Sequence, residues 1–487
     1  MMNYLVGAVL IVVACIIAFT WLYENFFKDN SPTSKIIPSR KAEDTSFLKS
    51  VLSRGAVGEP LIMYAPVKKK QLEADPYRLE LPVYSVPCEE RGLVVGVSGA
   101  GKTNLILAQI IDWLKSGKSF VVTDVKPEIF GILETNGILD AFGYGSLVIN
   151  PTDPKAHKYN MLDDLQSDND LDELLQILVP LDLVEAKPFV EIARLVLKAS
   201  IIYIRERDGK VSLTSVFEFV NGQKDSSKLL ETLYDKGNDD VKSLVTQAKT
   251  SAKSDRLFSS GLSTLVSSLS FLNNKTIAKN VATSDYSLNK CLRSPKVAIF
   301  LQFEQANMNT TASLYSATVQ HIIRLLMWNA NKRDDVFLLF DELLNGGKIE
   351  NLADKFNLIR SYKMPAFLYI QSVAGLVEKY GRDEAKKIIS ACSLQMCYRV
   401  NDTETAEFFS DLAGEIEAQK INKSVSPAVR ENGSTYYKNT FSSSVEAVPL
   451  VPVEKMLQLP FGKVLCVYKG QSAIIDVPQH YKDTPCT

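Results

Sequence analysis

Gly96, Gly101, Lys102 and Thr103 stand at the fixed places of the pattern G-x-x-x-x-G-K-[ST], inside the stretch RGLVVGVSGAGKTNLILAQII from Arg91 to Ile111. That spacing suits the cradling of a nucleotide's phosphates. Glycines at 96, 99 and 101 let the backbone wrap tightly enough for successive N–H groups to face anionic oxygens. A helix beginning near Lys102 adds the positive end of its dipole. Gly96, Val97, Ser98, Gly99, Ala100, Gly101, Lys102 and Thr103 are therefore the candidate ATP-binding loop. Lys102 would reach the β and γ phosphates, and the Thr103 hydroxyl would be a Mg²⁺ ligand.

A loop of this kind needs acids from a neighbouring strand. VFLLFDE (Val336 to Glu342), about 240 residues later, is an apolar run ending in two carboxylates. Asp341 is expected in the Mg²⁺ shell, and Glu342 as the base that orients and deprotonates the attacking water. The next apolar run, Ala366 to Ile370, ends at Gln371. This polar side chain would contact the γ-phosphate or the water, or else serve as a turn or capping residue. Arg360 and Arg399 are two candidates for an arginine acting across a subunit boundary, although each alone is more often a surface ion-pair partner.

These residues require a particular scaffold. Leu93 to Val97, Ser119 to Asp124, Gly145 to Asn150, Lys296 to Gln302, Val336 to Glu342 and Ala366 to Ile370 are apolar across their length and alternate with helical periodicity. This predicts a largely parallel sheet covered on both faces. From 162 to 290 glycine and proline are scarce and helical periodicity is long, so this stretch is expected to be an all-α domain inserted into an α/β nucleotide-binding domain, 61–161 and 291–487. Its acidic start (Asp163, Asp164, Asp168, Asp170, Asp172, Glu173) reads most simply as a solvated helix N-terminus, with a partner-docking patch as the alternative. Lys242, Lys249, Lys253 and Arg256 form a basic series that faces either DNA or solvent. LIMYAPV and RLELPVYSVP predict short strands in a small β layer.

Composition adds limits. The chain has 487 residues and is 46% hydrophobic and 23% charged, with a net charge of -1, so a nucleic-acid contact must come from a local basic surface. Seven scattered cysteines without C-x-x-C spacing read as reduced thiols, and three distant histidines suggest no metal beyond nucleotide-bound Mg²⁺. Residues 1–23 carry no charged side chain, and Tyr4 to Tyr23 is long enough to cross a bilayer. With no basic n-region and no small-x-small cleavage site, the run is read as an uncleaved anchor. Lys28, Lys35, Arg40 and Lys41 all follow it, which places the bulk of the chain in the cytoplasm. Residues 24–60 are expected to be a juxtamembrane linker with a short helix near Ser46 to Leu52.

The serial order of several blocks resembles the type IV coupling proteins, the TraD/TraG group of bacterial conjugation and type IV secretion. After the phosphate loop come TDVKPE, INPTDPKAHKYNML, FDELLNGGKIENL, IQSVAGLVEKYG, VNDTETAEFFSDLAG and LQLPFGKVLCVYKG, then a terminal HYKD. The resemblance implies a RecA-like P-loop domain with an inserted all-α domain and an anchor in the bacterial inner membrane. It implies ATP and Mg²⁺ as cofactors and a homo-hexamer with nucleotide at subunit junctions and a channel for single-stranded DNA. The implied partners are relaxase or relaxosome proteins and components of the secretion channel.

Carried over by position, Gly101, Lys102 and Thr103 would bind phosphates and Mg²⁺, Asp341 and Glu342 would serve hydrolysis, and Gln371 would sense the γ-phosphate. Asp124, Lys126 and Glu128 match the group's pattern with no role attached. Most members have two transmembrane helices, and some a long acidic tail; one hydrophobic span and no such tail are visible here. Protein effectors as the main cargo, or a non-catalytic nucleotide-binding adaptor, are the alternatives. A chromosome-segregation translocase fits the blocks after Gln371 poorly.

Overall fold

The computed structural model describes residues 33–46, 52, 57–64, 83–181, 184–223, 225–252, 254–362 and 364–477. The expected anchor at 1–23, much of the expected linker, residues 65–82, Lys253 and the terminal HYKD lie outside the described residues. Among the described residues no helix is long and apolar enough to cross a membrane.

In chain order the strands are β1 (Thr33–Pro38), β2 (Leu61–Tyr64), β3 (Val83–Ser85), β4 (Arg91–Val95), β5 (Phe120–Thr123), β6 (Gly145–Ile149) and β7 (Val297–Leu301). Then follow β8 (Phe337–Phe340), β9 (Ala366–Ile370), β10 (Leu394–Cys397), β11 (Glu415–Val429), β12 (Thr435–Pro449), β13 (Lys463–Tyr468) and β14 (Gln471–Asp476). The chain divides into two compact units, one of Met1–Asp44 with Ala413–Pro452 and one of Thr45–Leu412 with Val453–Thr487.

The larger unit is built on a nine-stranded sheet of order β14-β13-β10-β4-β9-β8-β5-β7-β6. From β10 to β6 all neighbours are parallel, while β13 and β14 add an antiparallel hairpin at one edge. Strands β4, β5, β8 and β9 are buried at every position, because helices cover both faces of a parallel sheet. Although β4 and β5 are successive main-sheet strands in sequence, β9 and β8 lie between them. The carboxyl ends of β4, β9 and β8 are therefore adjacent, where open α/β sheets bind ligands.

The helix that follows β4, Lys102–Leu114, is buried along nearly its whole length. Its polar side chains are satisfied internally, as burial requires. Gln109 donates to Leu61 O at 2.8 Å and accepts from the Tyr369 hydroxyl, and Trp113 Nε1 donates to Ser119 O at 3.1 Å. These bonds fix the helix between β9, the start of β5 and the small β2–β3 sheet.

Between β6 and β7 the described residues form helices and short 3₁₀ turns without a strand. Helices Asp239–Ala252 and Asp255–Ser268 both pack on Lys187–Asp208. Two of the six acids at the start of this segment depart from the solvated reading, while Asp163, Asp168 and Glu173 are exposed. Asp164 is buried and accepts from the Ser287 hydroxyl at 2.8 Å and from Leu288 N at 2.7 Å, which joins the two ends of the helical segment. Asp170 closes a capping box with Ser167 and pairs with Arg324 of helix Met308–Trp328. A carboxylate at a helix start is as useful to a neighbouring element as to water.

The smaller unit also departs from expectation. Residues 33–38, expected within a linker, form β1, which pairs antiparallel with β11; β11 and β12 form a long hairpin. Strict apolar alternation is missing from this hairpin, where Ile421, Val425 and Val429, and then Tyr437, Phe441 and Val445, recur every four residues among serines and asparagines. That spacing conceals a strand.

Candidate functional site

The phosphate loop is held at its base by neighbouring strand ends. Gly96 N donates to Ile370 O at 3.1 Å and Val97 N to Arg399 O at 3.2 Å. The first helical hydrogen bond runs from Leu105 N to Gly101 O, so the Lys102 and Thr103 N–H groups have no acceptor within the helix and can face a ligand. Two glycines are required for distinct reasons. Gly101 has φ 110°, a left-handed backbone that side chains resist. At Gly96 an added Cβ would lie 2.6 Å from Tyr398 Cβ.

Lys102 is buried and its amine donates to Gly96 O at 2.6 Å and to Val97 O at 3.2 Å, curled over the loop it follows. Burial lowers its pKa, and the charges of Glu342 and Asp341 oppose that shift. The loop amine and the two acids thus share one electrostatic environment. The sheet order produces this closeness, since only β9 separates the end of β4 from the end of β8.

Asp341 and Glu342 directly follow β8 and both are buried. Thr123 at the end of β5 donates to Asp341 O at 3.2 Å. Burial first, then the neighbouring Glu342 and Asp124 carboxylates, push the Asp341 pKa up to about 7. A buried group of acids beside the Lys102 and Lys126 amines fits a divalent cation, which would restore the ionised form. Thr103, at the start of the helix, and Asp341 are the residues that could hold it.

Glu342 has φ 51°, a left-handed conformation that a non-glycine residue keeps only when its surroundings impose it. Gln371 donates to its carboxylate at 2.8 Å and Asn345 at 3.0 Å, with the Lys126 amine 3.8 Å away. Gln371 follows β9 directly, and it is Ser372 that caps helix Val373–Tyr380 by accepting from Gly375 N at 3.0 Å.

Of the two candidate arginines, Arg399 lies just past β10 with its carbonyl on the phosphate loop and its side chain exposed. Arg360 lies at the other end of the sheet. It is exposed on helix Leu352–Ser361, ahead of the start of β9, where its charge acts on Arg91 at the start of β4. The fold does not bring Arg360 and Lys102 of one chain together.

Asp124 has a structural role. Its carboxylate accepts from Glu128 N, Ile129 N and Phe130 N at 3.1 to 3.2 Å and from Gln302 Nε2 at 3.0 Å, which caps helix Glu128–Thr135. Lys126 is exposed beside Glu342, and Glu128 is exposed in the first turn of that helix. Sequence reasoning missed Tyr398, which packs on Gly96 and has its hydroxyl 3.4 Å from Gly101 O, and Phe461, an exposed ring beside Gly101. Phe461 lies in the block LQLPFGKVLCVYKG and Tyr398 just ahead of VNDTETAEFFSDLAG, but no spacing singles them out. Asn345 was missed as well, for the same reason.

A family model described as "Type IV secretory system Conjugative DNA transfer" matches residues 63–484. The chain is 28% identical over 166 residues to a conjugal transfer protein TraG of Escherichia coli, covering 31% of this chain and 26% of that protein. It is 22% identical over 419 residues to the protein VirD4 of Agrobacterium fabrum, covering 81% and 61%. The chain thus spans between about a quarter and three-fifths of the length of these relatives. Among solved structures, the plasmid coupling protein TrwB in complex with ADP and Mg²⁺ superposes with a TM-score of 0.63 at 17% identity, covering 93% of this chain and 94% of that one. TrwB with a non-hydrolysable GTP analogue gives 0.62 at 17% identity. The larger unit has the RecA-like α/β fold of these neighbours.

Proposed function

The chain belongs to the type IV secretory system conjugative DNA transfer family, the type IV coupling proteins, and from that premise we propose that it is an Mg·ATP-hydrolysing motor that drives single-stranded DNA into a secretion channel. The observation that carries the catalytic part is the meeting of Lys102, Asp341, Glu342 and Gln371 at the carboxyl ends of β4, β8 and β9.

In this reading the loop N–H groups and Lys102 hold the β and γ phosphates, and Thr103 and Asp341 hold Mg²⁺. When bound, Mg²⁺ supplies positive charge against the developing negative charge of phosphoryl transfer. Glu342 orients a water and takes its proton as the water oxygen bonds to the γ-phosphorus and the bond to the β–γ bridging oxygen breaks. Gln371 holds the Glu342 carboxylate in place and registers the loss of the γ-phosphate at Ser372 and its helix. Arg399 or Arg360 reaches a neighbouring subunit's phosphates in a homo-hexamer; their opposite placements suit Arg360 to contact in trans. The apolar run Tyr4 to Tyr23 anchors the chain in the inner membrane. The family description, conjugative DNA transfer by a type IV secretory system, supports DNA and secretion-system components as partners, and single-stranded DNA and a relaxase are what the sequence resemblance adds.

The test is Lys102→Ala in the full chain. Hydrolysis stimulated by single-stranded DNA and plasmid transfer between cells should both be abolished. Hydrolysis at the parent rate would overturn the assignment of the loop.

A further inference from the structure

The sheet of β1, β11 and β12 has one face that water does not suit. Residues directly opposite in an antiparallel pair share a face. The register pairs Val429 with Thr435, Tyr437 with Pro427, Phe441 with Lys423, Val445 with Gln419, and Gln419 with Ile37. Val429, Tyr437, Phe441, Val445 and Ile37 therefore lie on the same side, and their exposures are 69%, 60%, 65%, 70% and 41%. Towards the tip of the hairpin this side carries Lys423, and its exposed acids, Glu415 and Glu417, lie at the base of β11. The other side of the hairpin is mostly polar, with Asn422, Ser424, Ser426, Ser442 and Ser444 and the Lys420–Glu446 pair at 3.2 Å, and its exposed large apolar residues are Tyr436 and, on β1, Ile36. Single exposed apolar residues are ordinary, but five on one face of a thin sheet mark a surface that is covered in use.

The position in the chain says by what. Nine residues, 24 to 32, separate the apolar run ending at Tyr23 from β1, a length that spans at most about 30 Å fully extended. A sheet on so short a tether meets the bilayer surface at a high effective concentration, so a weak apolar face is enough to hold it there. Aromatic and aliphatic side chains with a lysine, and acids only at the base of the hairpin, match an interface of anionic lipid headgroups.

We infer that the Tyr437–Phe441–Val445 face of the β1–β11–β12 sheet lies on the membrane surface, its side chains inserted among anionic headgroups and the upper acyl chains. The inference rests on the reading of residues 1–23 as a membrane anchor. It assigns the hairpin a task apart from hydrolysis, that of fixing how the chain sits against the bilayer.

The test uses the full chain in vesicles of phosphatidylglycerol and phosphatidylcholine, with Phe441 or, in a second protein, Ser442 replaced by a genetically encoded dansyl amino acid. The probe at 441 should shift to the blue and be quenched by lipids bearing a nitroxide near the headgroup, while the probe at 442, on the other face, stays in water. Tyr437→Ser with Val445→Ser should abolish the shift at 441 without releasing the protein from vesicles. Probes equally wet on both faces of vesicle-bound protein would overturn the docking and leave the anchor reading intact. A blue-shifted probe at 441 that lipid nitroxides do not quench would also overturn it, since the face would then be covered by a second copy or another protein. Failure of the unlabelled chain to remain with vesicles after extraction at high salt and alkaline pH would overturn the anchor reading and this inference with it.

Discussion

Gln371 Nε2 donates a 2.8 Å hydrogen bond to the carboxylate of Glu342, across the ends of the neighbouring strands β9 and β8. The same carboxylate oxygen accepts from Asn345, and the Lys126 amine stands 3.8 Å from the other one. The glutamate sits at a left-handed φ of 51°, so its direction is imposed by these partners rather than by its own preference. The contact also joins the proposed base to a helix, because Ser372 is the N-cap of Val373–Tyr380. A change at Glu342 can therefore move that helix.

Glu342→Gln and Gln371→Ala should separate these two tasks. The first keeps the shape of the side chain and removes the base, so nucleotide affinity should persist while hydrolysis falls by about 10² to 10⁴-fold. The second removes one hydrogen bond to a charged group, about 1.5–3 kcal/mol, so kcat should fall by about 10 to 100-fold with KM little changed. Steady-state kinetics on both variants check this. Equal losses in KM and none in kcat for Gln371→Ala would mean that the glutamine only helps to hold the nucleotide.

Gly96→Ala should damage the loop through packing. Its Cβ would lie 2.6 Å from Tyr398 Cβ, in the strand-end region that already receives Val97 N, so either the loop or Tyr398 must shift. An overpacked site of this kind costs about 1–3 kcal/mol. Chemical denaturation should show that loss, and nucleotide affinity should fall with it. Tyr398→Gly added to Gly96→Ala removes the clashing Cβ and should recover part of the nucleotide affinity, which a purely conformational need for glycine at 96 would not allow.

The pieces of the candidate site that could be found in the chain are those whose chemistry follows an apolar strand. The phosphate loop after β4, the acids after β8 and the glutamine after β9 each announce themselves by a switch from buried to polar residues. What could not be found was their adjacency. It depends on β9 and β8 lying between β4 and β5, a matter of long-range pairing with no local pattern. Tyr398 and Phe461 escaped because an aromatic beside a glycine acts by shape, and shape leaves no spacing. The capping of helix Glu128–Thr135 by Asp124 was missed although the motif was noticed, since a carboxylate at a strand end reads equally as catalytic or structural. The hairpin of β11 and β12 was hidden for another reason: its apolar residues recur at four, the spacing of a helix as much as of every second position on one strand face.

Asp124→Ala is therefore a stability experiment. Three backbone N–H groups of the helix start and the Gln302 amide lose their shared acceptor. A lost cap with buried donors left unpaired costs about 2–4 kcal/mol. Asp124→Asn keeps one acceptor and should fall between the parent and the alanine variant. Denaturant midpoints at constant slope measure the difference, and an alanine variant as stable as the parent would show that water replaces the carboxylate.

His321 sets an acid limit on the larger unit. It is buried on helix Met308–Trp328, its Nε2 has no hydrogen-bond partner, and Tyr159 packs near its ring. Burial lowers its pKa to about 4; the Asp164 and Asp170 charges act against that and Arg324 adds to it. A histidine exposed by unfolding titrates near 6.5, so between about pH 6.5 and pH 4 the unfolded chain binds the extra proton and stability falls as pH falls. Above that window both states are neutral and the group has no effect. Going from about pH 7 to about pH 5, the loss from this one residue is about 2 kcal/mol. His321→Phe keeps a ring in the cavity and cannot take up a proton, so its stability should decline less over that interval, by about the same amount. Urea denaturation of both proteins at the two pH values measures this. Parallel declines would place the acid sensitivity in the carboxylates alone, with His321 already protonated in the folded chain.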